Sequence, residues 1–209
     1  MTTRPAWPQS KARVAAASGN DLREVDVLAD PRLRGNAVPI TNLNHAVLFV
    51  RDLERSRSFY TDVLGFTEVM GMEGAAFLQA PGSSNDHDLG LFAIGDGAGP
   101  SAAGRSTVGL YHIAWEVDTL GELQRLAERL REVGALGGAS DHATTKALYA
   151  RDPDGLEFEV SWLVPADLID DDVLDQRSSI RPLDLTAEIQ RYGADTPGGV
   201  GVSRLVPGA

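Results

Sequence analysis

The sequence predicts an α+β fold in which one strand-helix-strands unit is used twice. Three observations predict it. Leu43-Asn-His45-Ala-Val-Leu-Phe-Val50 and Leu110-Tyr-His112-Ile-Ala-Trp-Glu-Val117 each place a histidine near the start of an apolar, strand-like run, and the two histidines are 67 residues apart. Each run leads into an amphipathic stretch closed by a glycine, Gly65 or Gly134, and then into further short strand candidates. Pro81 after Phe77-Leu-Gln-Ala80 mirrors Pro153 after Tyr149-Ala-Arg-Asp152. A duplication of this size implies two similar modules packed around shared sheet surface, with a concave site between them.

Taken in order, residues 1–40 read as an N-terminal arm punctuated by Pro5, Pro8, Pro31 and Pro39, with a short helix over 21–28. The first module covers 41–95. Its strand over 43–50 is followed by a helix that Asp52 can cap and Gly65 can stop, with Leu53, Phe59, Tyr60, Val63 and Leu64 as its apolar stripe. Strands follow over 67–72, 75–79 and 89–94. Residues 96–107 are a Gly/Ala/Ser linker. The second module covers 108–164, with a strand over 110–117, a helix over 120–133 and strands over 147–151 and 156–162. Between the last two lies Asp152-Pro153-Asp154-Gly155, a turn whose proline pre-sets φ and whose glycine takes the left-handed position. After it the residues alternate. Leu156, Phe158, Val160 and Trp162 share one face, and Glu157, Glu159 and Ser161 the other. Residues 165–209 are a tail with an acidic loop at Asp170-Asp171-Asp172, one amphipathic helix over 183–192 and a Gly-rich end. The tail reads as a packing or dimer-contact segment, and a homo-oligomer, dimer or higher, is expected.

Composition narrows the function. Hydrophobic residues make up 43% and charged residues 23% of 209, the balance of an ordinary globular chain. Thirty acidic against 19 basic residues give a formal net charge of −11, with no basic run to recognise nucleic acid or an anionic membrane. Without cysteine there is no disulfide, thiolate ligand or thiol nucleophile. The first residues have no apolar run of signal-peptide length, so cytoplasmic residence is the expectation. No GxSxG elbow, Walker loop or zinc-protease helix is present, which leaves hydrolase and nucleotide-binding readings unsupported.

Two histidines and a carboxylate on three strands could form a metal site, and here the residues resemble a known family. His45-Ala-Val-Leu-Phe-Val-Arg-Asp-Leu53 with Ser58-Phe-Tyr60 and Leu64-Gly-Phe66, Tyr111-His112-Ile-Ala-Trp-Glu-Val117 and Asp152-Pro-Asp-Gly-Leu-Glu-Phe-Glu159 are together similar to the vicinal oxygen chelate superfamily. That superfamily holds glyoxalases, bleomycin-resistance proteins and extradiol ring-cleavage dioxygenases. The resemblance covers residues 43–164. It implies two tandem βαβββ modules curling mixed sheet around a metal cleft, with His45, His112 and Glu159 as ligands. Glu157 shares the face of Glu159, but the family's spacing from the turn glycine selects Glu159. Two imidazoles and a carboxylate are the facial set of non-haem Fe(II) oxygenases.

The fourth position separates the reactions. Glyoxalase-like members take a ligand from the last strand of module one. Matching Asp88-Leu-Gly-Leu-Phe92 to Glu157-Phe-Glu-Val-Ser161 puts Gly90 there, which has no side chain to offer. Three ligands remain, as in the extradiol dioxygenases, with Fe2+ (or Mn2+), a small aromatic diol and O2 as the implied cofactor and substrates. His87 falls where that subgroup places an acid/base histidine. Tyr149, ten residues before Glu159, matches the spacing of its active-site tyrosine, and His142 resembles a histidine that backs the site, two residues from the usual place. Two rival readings stay open: a glyoxalase-type lyase or isomerase using Ni2+, Zn2+ or Mn2+, and a metal-free drug-sequestering protein of the bleomycin-resistance kind.

Overall fold

The computed structural model describes residues 40–103 and 106–199. The chain divides into two units, Met1–Asn42 and Leu43–Ala209, and every element below belongs to the second. Apart from residue 40, the expected N-terminal arm and its helix over 21–28 lie outside the described residues, as does the chain beyond 199.

Module one begins with β1 (Ala46–Val50), so His45 stands just before the strand. Asp52 caps α1 (Leu53–Ser58) by accepting from the Arg55 amide. The helix then widens into a π-helical turn over Phe59–Val63, where the expectation is one regular helix to Gly65. The Phe66 amide reaches back to the Tyr60 carbonyl at 3.0 Å. That widening turns Tyr60 inward, to 2% exposure. Strands β2 (Thr67–Met72), β3 (Ala75–Gln79) and β4 (Leu89–Ala93) complete a four-stranded sheet in the order β1-β4-β3-β2. Its first pair, β1 with β4, is parallel, and the rest are antiparallel.

Module two repeats the order. β5 (Ile113–Glu116) follows His112, and α2 (Leu120–Glu132) is capped by Thr119. β6 (Leu136–Asp141), β7 (Thr145–Arg151) and β8 (Glu157–Leu163) follow. The second sheet runs β5-β8-β7-β6-β9, with β5 parallel to β8. Strand β6 is an addition to the sequence reading. Its Gly137-Gly138 pair hides the strand pattern, since glycine offers no side chain to alternate. The acidic loop is likewise corrected: Asp171–Gln176 form helix α3, with Asp170 accepting from the Val173 amide. A short β9 (Arg181–Pro182) joins the edge of β6 and leads to α4 (Leu185–Tyr192). No helix among the described residues is long and apolar enough to cross a membrane.

The two cores follow from the period-two pattern of the strands. In sheet one, Leu48, Val50, Leu78, Leu89 and Leu91 bury one face with Tyr60 and Phe66. In sheet two, Leu148, Phe158, Val160 and Trp162 pack against Leu120, Leu123, Ala127 and Leu130 of α2. Phe59, Leu64 and Trp115 touch both clusters. Polar joints tie the modules together, Arg129 of α2 donating to the Asp62 carbonyl and two more meeting at the Asp152 turn. The Tyr60 hydroxyl donates to Asp152 at 3.2 Å, and Arg51 meets Asp154 through its amide at 3.0 Å and its guanidinium at 2.6 Å.

Candidate active site

The face of each sheet opposite its core carries the residues with chemistry, and the strand registers show how they correspond. In sheet one, Gly90 on β4 is flanked by Val47 on β1 and Phe77 on β3. In sheet two, Glu159 on β8 is flanked by Ala114 on β5 and Tyr149 on β7. Gly90 therefore occupies in sheet one the place Glu159 occupies in sheet two. A Cβ at Gly90 would come within 3.3 Å of both Val47 and Phe92 and 3.7 Å of Phe77. Sheet one has filled that space with apolar side chains.

Glu159 gathers partners. His112 Nε2 lies 3.3 Å from its Oε2, with the side chains 25% and 14% exposed. The Tyr149 hydroxyl bonds to Glu159, its cross-strand neighbour. Burial, the Glu159 charge and that hydrogen bond push the Tyr149 hydroxyl up to about 12. Tyr149 is thus a neutral donor at any ordinary pH. Behind it, His142 Nε2 is 3.1 Å from the same hydroxyl. The one hydroxyl proton thus lies between a carboxylate and a ring nitrogen, and the tautomer of His142 decides which of the two accepts it.

His142 sits on the turn between β6 and β7, and the next residue, Ala143, has φ +63°. A left-handed alanine costs about 1–2 kcal/mol, so something must hold it. Asp141 does, accepting from the Ala143 amide at 2.8 Å, while the His142 amide donates to the Thr145 carbonyl at 2.9 Å.

His45 and His87 stand together on sheet one, ring centroids 4.6 Å apart, with Phe77 edge-on to His87 at 5.1 Å. Each has its Nδ1 on the side-chain oxygen of the preceding residue: His45 on Asn44 at 2.7 Å, His87 on Asp86 at 2.9 Å. With Nδ1 donating, Nε2 of each neutral ring keeps its lone pair for a cation or a proton. The sequence carries this signal in Asn44-His45 and Asp86-His87, where a side-chain oxygen directly precedes the histidine.

The donor set can be tested against a metal ion. Two ligands about 2.0–2.2 Å from one divalent cation at right angles stand about 3 Å apart, close to the His112–Glu159 spacing. His112 Nδ1 is buried with no hydrogen-bond partner, a loss that a strong bond at Nε2 would offset. Two donors of the expected three therefore fit one ion. Among the described residues no group of three His, Asp or Glu side chains converges on such a point, and His45 stays beside His87. Glu157 is drawn toward Arg151, 3.7 Å away.

Comparison with known proteins places this arrangement. The sequence profile described as the glyoxalase/bleomycin resistance protein/dioxygenase superfamily matches residues 42–160, more than half of the chain. The chain belongs to that superfamily. It is 37% identical over 123 residues to a catechol-2,3-dioxygenase of Bacillus subtilis, a match covering 57% of this chain and 41% of that protein. It is 35% identical over 119 residues to biphenyl-2,3-diol 1,2-dioxygenase 3 of Rhodococcus globerulus, covering 56% and 61%. A manganese-dependent 2,3-dihydroxybiphenyl 1,2-dioxygenase of Geobacillus genomosp. 3 is 29% identical over 127 residues, covering 59% and 37%. In each case the match spans less than two thirds of the relative. Among solved structures, a glyoxalase/bleomycin resistance protein/dioxygenase domain from Frankia sp. EAN1pec aligns with TM-score 0.50 at 26% identity, over 59% of this chain and 92% of that one. The α+β superfamily fold is thus established over 42–160, and the chain builds it as two mixed sheets of four and five strands, the fifth strand β9 coming from beyond that range.

Proposed function

We propose that this protein is a metal-dependent extradiol dioxygenase that opens the ring of a catechol-type diol with O2, beside the hydroxyl groups and not between them. The observation that carries the reading is the cross-strand grouping of His112, Glu159 and Tyr149, set against a glycine at the matching position of sheet one. A lyase of the glyoxalase type needs a side chain where Gly90 stands. The diol-cleaving names of the relatives support the same choice.

Modules 41–95 and 108–164 each contribute in this reading. His112 and Glu159 would hold a divalent ion, Fe2+ or Mn2+, with His45 as the third ligand. When bound, such an ion supplies Lewis acidity toward the diol oxygens and the redox coupling to O2. The protein's own groups do the rest. Tyr149 keeps its proton at neutral pH and can turn it from Glu159 to a substrate oxygen, with His142 fixing the hydroxyl from behind. His87, its Nδ1 held by Asp86, presents Nε2 as a base toward a diol proton and afterwards as an acid. Phe77 and Phe92, edge-on at 5.7 Å, give the sheet-one side an apolar wall suited to an aromatic ring.

The test is anaerobic purification, loading with Fe2+ or Mn2+, and O2 uptake with a panel of catechols, alongside absorbance of the yellow ring-opened product. O2 consumption matched to product supports the proposal. A protein that binds neither ion overturns it.

A further inference from the structure

Among the described residues, sheet two has an added edge strand that sheet one does not have. The segment after β8 comes back as β9, pairing Arg181 with Asp141 and Pro182 with Ser140, and α4 follows. These two elements close a buried ionic cluster around the turn that carries His142. Lys146, only 1% exposed, sets its Nζ 2.6 Å from Asp141 Oδ1 and 2.9 Å from Glu188 Oε2 of α4. The second contact is an ion pair, not an aligned hydrogen bond. Arg181 Nη2 reaches Asp141 Oδ2 at 2.5 Å, and its other nitrogen meets Gln176. The Tyr192 ring lies 5.8 Å from the lysine. Two cations face two carboxylates, so the cluster is neutral as a whole. Burial works to raise the Asp141 carboxyl, but Lys146, the Ala143 amide and Arg181 outweigh it and hold the group ionised.

The geometry has one outlet. Asp141 Oδ1 takes both Lys146 and the Ala143 amide, so the charge cluster and the left-handed alanine share a single oxygen. His142 is the neighbour of that alanine in the same turn, and its side chain points at Tyr149. The backbone pairing of β9 with Ser140 and Asp141 holds the strand itself, and the charge cluster adds the side-chain tie that reaches the Ala143 amide.

We propose that Arg181 and Glu188, acting through Lys146 and Asp141, are positioning residues for His142, and that the C-terminal segment is thereby part of the active-site machinery. The proposal rests on the reading of Tyr149 and His142 as members of the site. Removing Arg181 lets Asp141 rotate, the Ala143 amide loses its acceptor, and the His142 ring leaves the Tyr149 hydroxyl.

The test uses Arg181→Ala and Glu188→Gln in the full chain. Both spare Lys146, whose own removal would strand two buried carboxylates and endanger folding. The first readout is the imidazole nitrogen spectrum of the metal-free protein, which has only four histidines to assign. The wild type should show one dominant tautomer for His142, fixed by its contact with Tyr149, and Arg181→Ala should shift that signal toward a mixture of tautomers while those of His45 and His87 stay put. The second readout is catechol turnover. Arg181→Ala should lower kcat about 10-fold, the lower range for loss of an outer supporting contact, with KM within about 2-fold. In a His142→Ala background the same change should cost nothing further. An unmoved His142 signal in a folded Arg181→Ala protein, or losses that multiply in the double variant, overturns the proposal. If the wild type turns over no diol, the reading of the site falls, and the imidazole spectrum still decides this one.

Discussion

Sheets one and two share a strand order, a parallel first pair and a histidine just before the first strand, yet they present opposite chemistry on the same face. The difference comes down to where the small residue sits. In sheet one it is central, Gly90, and larger neighbours Val47, Phe77 and Phe92 close over it. In sheet two it is lateral, Ala114, and the central strand carries Glu159 with Tyr149 beside it. A duplicated frame thus supports a polar strand centre in one sheet and an apolar one in the other by exchanging volume between adjacent strands, with His45 and His87 at the margin of the apolar centre. The proposed diol substrate would use both: donors to grip its oxygens and a wall for its ring.

The sharpest way to break this comparison is to remove a histidine from each side. His112→Ala should lower affinity for Mn2+, read by titration of the metal-free protein, beyond the roughly 10–100-fold typical of losing an outer partner. Turnover should go with it. His87→Ala should leave metal affinity intact and lower turnover by about 10²- to 10⁴-fold. The reverse pattern, with His87→Ala emptying the site, would sink the assignment of the two faces.

A smaller effect tests the volume argument itself. Gly90→Glu copies the sheet-two residue into sheet one, where its Cβ meets Val47 and Phe92 at 3.3 Å. Overpacking alone should destabilise the fold by about 1–3 kcal/mol in urea unfolding. A neutral substitution would mean that sheet one has room it does not show.

The smallest effect concerns the turn carboxylates that support each face. Burial works to raise Asp88, but the Ala80 amide, Ser83 and Asn85 together hold it below the usual carboxylate range. Burial raises Asp152, which its amide contacts and Tyr60 only partly offset. The signs therefore differ. Stability from Asp88 is present above the ordinary carboxylate pKa and is lost as pH falls through its lowered value. The advantage from Asp152 is greatest below the ordinary value and is lost as pH rises through its raised one. Urea unfolding of Asp88→Asn and Asp152→Asn from pH 3 to 7 should show gaps to the wild type that change in opposite directions.

Much of this was legible in the sequence because period-two alternation survives duplication. The match of Asp88-Leu-Gly-Leu-Phe92 to Glu157-Phe-Glu-Val-Ser161 predicts the same Gly90–Glu159 correspondence that the two strand registers display. The elements that escaped notice are those whose cause is not local. β6 carries Gly137-Gly138 and is a strand only because β7 and β9 pair with it. Three aspartates read as a loop, yet Asp170 is a cap and the next two lie in the first turn of a helix, where negative charge is favoured. The His142–Tyr149 contact crosses a hairpin whose conformation depends on Asp141, and no pattern of neighbouring residues announces it. The place of His45 beside His87 is likewise a matter of how strands and loops meet.

The π-helical turn at Phe59–Val63 has a consequence for how this chain tolerates length changes. A π turn is an α-helix that has absorbed one surplus residue without shifting its ends. Here the surplus lets Phe59 touch both cores while Tyr60, one step on, reaches the Asp152 turn of the other module. Deleting a single residue from this turn would restore a regular helix and rotate one of those two contacts out of reach. The segment is a spacer set to the separation of the modules, and a one-residue deletion there should loosen their junction while leaving each sheet intact.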